Sequence, residues 1–137
     1  MKRNHLLSLL LLASGGLLHA EVDSALENQM KILARGTRQL SQQVSDPARQ
    51  QSTITLIENL KKAALDSKTL DPRKTSEIPE EKRAQFLADF RTELDELKDT
   101  FDQIEEAVRS GQYEKAKSLL AIVSSIKKEG HGKFKAD

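Results

Sequence analysis

A thioether at residue 30 and an imidazole at residue 131 are the side chains in this sequence best suited to hold a transition metal. The chain of 137 residues has two Met, three His and no Cys. Residues 1–20 read as a removable leader, and Met1, His5 and His19 leave with it. Met30 and His131 are then the one methionine and the one histidine of the remainder. Imidazole binds iron in either oxidation state and a soft thioether favours ferrous iron; together they are the axial ligands of many electron-transfer haems. Each also has an ordinary reading. A single Met on a helical stripe commonly fills core space, and a His near a C-terminus is commonly a solvated residue favoured by the helix dipole. The stretch "KKEGHGKF", residues 127–134, sets His131 between two glycines, each costing about 1 kcal/mol of helix stability against alanine.

The leader has a basic head with Lys2 and Arg3, the apolar run "LLSLLLLASGGLL", and a small residue, Ala20, at the expected cut. That is the pattern of a secretory signal peptide. The run is shorter than the roughly 20 apolar residues of a membrane span, and with no cysteine there is no lipobox. The style is bacterial, so the expected destination is the periplasm, with no membrane attachment after cleavage. The domain division is a signal peptide over 1–20 and one functional domain over 21–137. The latter carries 20 Lys+Arg and 21 Asp+Glu, a formal charge of −1. No basic stripe in the sequence argues for nucleic acid. The absence of cysteine excludes a disulfide framework, thiolate metal sites and covalent haem attachment through Cys-x-x-Cys-His.

The elements that would position the two side chains follow from apolar spacing. Leu26, Met30, Leu33, Leu40 and Val44 fall on one stripe of a helix over Val22–Ser45, with Thr37 filling its gap and Gly36 an interior weakness. Asp46 is a suitable N-cap and Pro47 a suitable first helical residue for a second helix running to about Thr69. Its apolar face is Ile54, Ile57, Leu60, Ala64 and Leu65. "LDPRKTSEIPEE" is the longest connection. A third helix, from Pro79 or Glu80 to Arg109, buries Phe86 or Leu87, then Phe90, Leu94, Leu97, Phe101, Ile104 and Val108. Gly111 is placed to close it in the left-handed conformation. The fourth runs from Tyr113 into the 130s on Ala116, Leu119, Leu120, Val123 and Ile126.

Four amphipathic helices on short connections pack as antiparallel neighbours. The expected fold class is all-α, an up-down-up-down antiparallel four-helix bundle preceded by a signal peptide. In that topology the start of the first helix and the end of the fourth share one end of the bundle and are adjacent. Met30, about two turns into the first helix, and His131, in the last turns of the fourth, can then face one cavity. His131 lies about 80° around its helix from Val123, at the edge of the stripe.

At this point the chain resembles a known family, cytochrome b562, a standard example of the topology. The likeness runs from about Ala25 to Phe134. "LENQMKIL" is similar to the family's first helix, with Met30 at its methionine ligand. "KKAALDSKTLDP" is similar to the end of the second helix, and "DFRTELDELKDTFDQIEEAVRSGQYEKAK" to the third helix, glycine turn and start of the fourth. From Phe90 through Gly111 the spacing carries His131 onto the histidine ligand. The resemblance implies one non-covalent haem b bound between Met30 and His131, with Leu33 and Phe90 lining the pocket. Leu94 stands where the family commonly has an aromatic, which implies a looser pocket there. Lys127 stands where it has a basic residue near a propionate; lysine supplies the charge without the bidentate geometry of arginine.

The function so implied is a periplasmic electron carrier, expected to act as a monomer with an unidentified redox partner protein. With both axial positions taken, no open position is left for a substrate, so no enzyme is expected. Asp95–Glu96 and Glu105–Glu106 read as surface charge, and a chain with one His and no Cys lacks a hydrolytic triad. The competing reading is a haem-free periplasmic bundle that binds protein partners or acts in envelope stress. A divalent-metal bundle would need carboxylate or His pairs from several helices.

Overall fold

The computed structural model describes residues 25–136, together with the backbone of the first helix from its start at Leu6. Of the residues read as a signal peptide, 1–5 lie outside the described residues and 6–20 are described by their backbone alone. Four α-helices follow in order: α1 Leu6–Gln43, α2 Gln50–Ser67, α3 Glu80–Arg109 and α4 Tyr113–Phe134. Among the described residues there is no strand, and no helix is long and apolar enough to cross a membrane.

The local chemistry at each junction sets the topology. After α1, Asp46 accepts a hydrogen bond from the Ala48 N–H at 3.0 Å and Pro47 opens a short 3-10 turn, Pro47–Arg49, ahead of α2. The second helix was expected to start at Pro47; the cap is where the sequence puts it, but its first turn is the tighter form common at helix ends. The start of α2 lies against the end of α3, where the Gln50 side chain donates to the Val108 carbonyl in the last turn of α3 at 2.8 Å. At the other end, Arg91 of α3 donates to the Lys68 carbonyl just beyond α2 at 3.1 Å. Gly111, at φ 71°, closes α3: the Gly111 and Gln112 N–H groups donate to the Val108 and Ala107 carbonyls, a complete Schellman motif. Successive helices are therefore antiparallel, and the bundle is up-down-up-down.

The main core is aliphatic apart from Phe101, with Leu40, Ile57, Leu60, Ile104, Val108 and Val123 among its other fully buried members. One stripe assignment needs correction. Leu65 was expected on the buried face of α2 but is 47% exposed, and Ala63 and Ser67 are buried with Ala64 instead. Leu65 is 100° from Ala64, and the face of α2 is centred on the side where α1 comes close. That approach explains Gly36. A Cβ there would overlap Leu60 Cδ2, so the glycine lets α1 lie directly on α2. Among the described residues, extended packing joins α1 to α2, α2 to α3 and α3 to α4, whereas α1 and α4 make no comparable contact. One seam of the bundle is left open.

Candidate functional site

Towards the end of the bundle that holds the C-terminus of α4, the core divides. Leu26, Phe90, Leu94 and Phe134 form a second, smaller cluster, and Met30 packs against both this cluster and the main core. Between the two lies a cavity of about 490 Å³, within the range of sites that take one cofactor-sized ligand. All six residues singled out in the sequence line it: Met30 and Leu33 from α1, Phe90 and Leu94 from α3, Lys127 and His131 from α4. It opens at the α1–α4 seam, where Thr37, Ser124, Lys127, Lys128 and His131 border an adjoining shallow recess.

Met30 is half-buried and His131 is exposed, on the two helices that flank the seam. Partial burial, then the charges of Lys127 and Lys135, hold the His131 imidazole below its ordinary value. The neutral form is the one with a lone pair to offer a metal. The leucines and Phe90 make the walls apolar, and Lys31, Arg73, Lys127 and Lys135 bring positive charge to the lining. Arg73 also pairs with Glu27 at 3.1 Å.

Several residues that shape the site had no part in the sequence argument. Phe134 is 7% exposed, and its ring meets Phe86 at 5.3 Å and Phe90 at 5.4 Å, both edge-on. The trio fastens the end of α4 to α3 beyond the two glycines, so the turn that carries His131 is held from its far side. A signal existed: Phe134 is eleven residues after Val123, about 20° from it around α4 and so on the same face. Glu93 also lines the cavity. Burial pushes its carboxyl up, against the opposing pull of Lys133 at 3.4 Å. Gly130 makes room for it, since a Cβ there would sit 3.0 Å from Glu93 Oε2. Asp71, Pro72 and Arg73, from the connection between α2 and α3, complete the lining. That connection has no periodicity from which its position could be read.

The donor set discriminates between candidate ligands. Among the described residues no three His, Cys, Asp or Glu groups converge to hold a metal ion, which is what a hard divalent cation would need. One thioether, one imidazole and a mainly apolar cavity whose lining also holds Lys31, Lys127 and Lys135 instead suit a flat iron porphyrin with two propionates. A search of curated proteins finds no match to the chain. A family model does match, that of cytochrome b562, over residues 25–135. The chain is a member of the cytochrome b562 family.

Proposed function

We propose that this protein is a periplasmic electron carrier holding one non-covalent haem b, with Met30 and His131 as its axial ligands. The observation that carries the reading is a single cavity lined by the one thioether of α1 and the imidazole of α4, in a chain whose residues 25–135 match a haem-protein family. Haem b, when bound, supplies reversible one-electron chemistry at iron. The chain's own residues would do the rest. Met30 and His131 would hold the iron, the thioether favouring its ferrous state. Leu33, Phe90 and Leu94 would exclude water from the ring face, and Lys127 would stand near a propionate. The leader-like residues 1–20 support export.

The test is a visible spectrum of the exported protein before and after dithionite. Sharp α and β bands of low-spin ferrous haem are expected. A colourless protein that also refuses added haemin would leave the haem-free bundle as the better reading. Met30→Ala and His131→Ala should each lose the low-spin bands while circular dichroism stays helical. A variant with an unchanged spectrum would remove that residue from the ligand set.

A further inference from the structure

The helices that border the cavity also divide the protein's charge. Residues 25–45 and 113–136, which include the described part of α1 and the whole of α4, carry nine Lys+Arg against three Asp+Glu. Residues 46–112, which include α2 and α3, carry eleven against fifteen. Over these ranges one half of the bundle is therefore +6 and the other −4; Glu21, Asp23 and Asp137, which lie outside them, bring the first half to +3. On the acidic half most cations are already paired. Lys61 meets Asp102 at 2.7 Å, Lys68 meets Asp95 at 2.6 Å, Lys98 meets Asp102 at 3.0 Å, and Arg109 bridges Glu58 and Glu105 at 3.3 Å each.

The other half places its cations differently. At about 100° per residue, Lys31, Arg35 and Arg38 fall within about 60° of one another on α1. They lie on the side away from Gly36, the residue that meets α2. On α4, Lys117, Lys127, Lys128 and Lys135 fall within about 100°, on the side that carries His131 and away from Lys133, which pairs with Glu93 of α3. The α4 group borders the α1–α4 seam, and the α1 group lies beside it on the outer side of α1, with Arg38 about 80° and Arg35 about 140° around the helix from Met30. None of these seven forms an ion pair among the described residues. The acidic residue nearest them on α1, Glu27, is held by Arg73.

We propose that the α1–α4 seam is the docking face for an acidic protein surface, which it brings against the cavity mouth for electron transfer. The inference rests on the haem reading for its purpose but not for its charge. Two propionates would neutralise lysines of the lining, yet Arg35, Arg38, Lys117 and Lys128 stand outside the lining and remain. Fields of this kind raise association rates about 10- to 1,000-fold and weaken with salt. An anionic lipid surface is the poorer match, because such binding also wants apolar side chains to insert. The exposed isoleucines Ile32 and Ile122 point to other sides of their helices. Single-stranded nucleic acid would want stacking aromatics, and Phe86, Phe90 and Phe134 are engaged with one another.

The probe is a flavodoxin, an acidic redox protein. Amide chemical shifts of the ¹⁵N-labelled protein are followed on titration at about 10 mM and about 1 M ionic strength, where the screening length falls from about 30 Å to about 3 Å. This readout needs no haem, so it separates failure of the docking face from failure of the haem reading. Shifts confined to the seam faces of α1 and α4, lost at high salt, are expected. Shifts centred on α2 and α3, shifts that survive high salt, or none, would overturn the proposal. So would tighter binding to vesicles of anionic phospholipid or to oligothymidylate than to flavodoxin. With haem bound, one electron passes from the anionic flavin hydroquinone, which becomes the neutral semiquinone, to ferric iron, which becomes ferrous; no proton moves. The triple variant Arg35→Glu/Arg38→Glu/Lys128→Glu should keep the wild-type spectrum but slow this step at low salt by about tenfold or more. It should also invert the salt dependence. A rate and salt dependence unchanged in the variant would count against the face.

Discussion

His131 sits in a turn that two glycines ought to loosen, and the side chain that offsets them is Phe134. Its ring is buried and touches Phe86 and Phe90 edge-on, so α4 is clamped on both sides of the imidazole, by Ile126 and Val123 before it and by Phe134 after. Removing a core phenylalanine ring costs about 3–5 kcal/mol where the cavity cannot collapse. Here the last turn can fray instead of holding the void, so Phe134→Ala is expected to cost about 2–3 kcal/mol, at or below the lower bound of that range. The loss should appear in urea melts, and haemin titrations should weaken because the imidazole is no longer pre-positioned. If haemin affinity is unchanged while stability falls, the aromatic trio is a core feature without a role in placing His131. At this scale the sequence was informative where scarcity made it so. With one methionine and one histidine outside residues 1–20, topology alone could bring Met30 and His131 to one cavity. Glu93 was not legible in the same way, because one carboxylate among many on α3 becomes distinctive through burial and through its fit beside Gly130.

Elements were legible to the extent that burial follows period. The stripes of α1, α3 and α4, the Asp46 cap and the left-handed Gly111 all follow from apolar spacing and turn chemistry. The phase of α2 was off by one position at Leu65, because a list of apolar residues does not say which neighbour approaches closest. Gly36 carries that information, but a glycine in a helix reads as a weakness until its partner is known. Alanine would recover about 1 kcal/mol of helix propensity. Its Cβ would overlap Leu60, which is fully buried and has no solvent to swing into. Overpacking a filled core costs about 1–3 kcal/mol, so Gly36→Ala should be net destabilising by up to about 2 kcal/mol and should lower the thermal midpoint. A raised midpoint would show that Leu60 repacks freely.

The α2–α3 pairing carries its own pH signature. The Asp102 hydrogen bond and then the nearby Glu105 charge raise Lys61, against burial. Burial raises Asp102, but hydrogen bonds from Lys61 and Lys98 outweigh it and leave the carboxyl below its ordinary value. A lowered carboxyl adds stability that is present above its unfolded value and is lost as pH falls through the folded one. A raised lysine adds stability that is present below its unfolded value and is lost as pH rises through the folded one. Asp102→Asn should therefore lower the urea midpoint at neutral pH and flatten the acid limb. The alkaline limb should shrink without vanishing, since Glu105 still faces Lys61 at 3.4 Å. Parallel pH profiles for the two proteins would rule out this pair as a source of the limbs.

For the molecule as a whole, the feature no stripe discloses is the missing fourth contact. Spacing shows that each helix has an apolar face; it does not show that three of the four neighbouring pairs close while α1 and α4 stay apart. The consequence is an uneven distribution of stability. Each of α2 and α3 packs on two neighbours, whereas α1 and α4 each pack extensively on one, and the cavity lies between their free sides. Local opening follows contact density. In the haem-free protein, amide exchange should be slowest in the middle of α2 and α3. It should be fastest within the helices over residues 25–33 of α1 and 126–134 of α4. A ligand that bridges Met30 and His131 binds only the state with both segments in place, so it stabilises them by mass action. Added haemin should slow exchange in these two segments together, by a common factor, with little change at residues already limited by global opening. Protection gained by α4 alone would mean that the ligand is held by His131 without Met30, and a rise spread evenly over all four helices would mean that the seam is no weaker than the rest of the bundle.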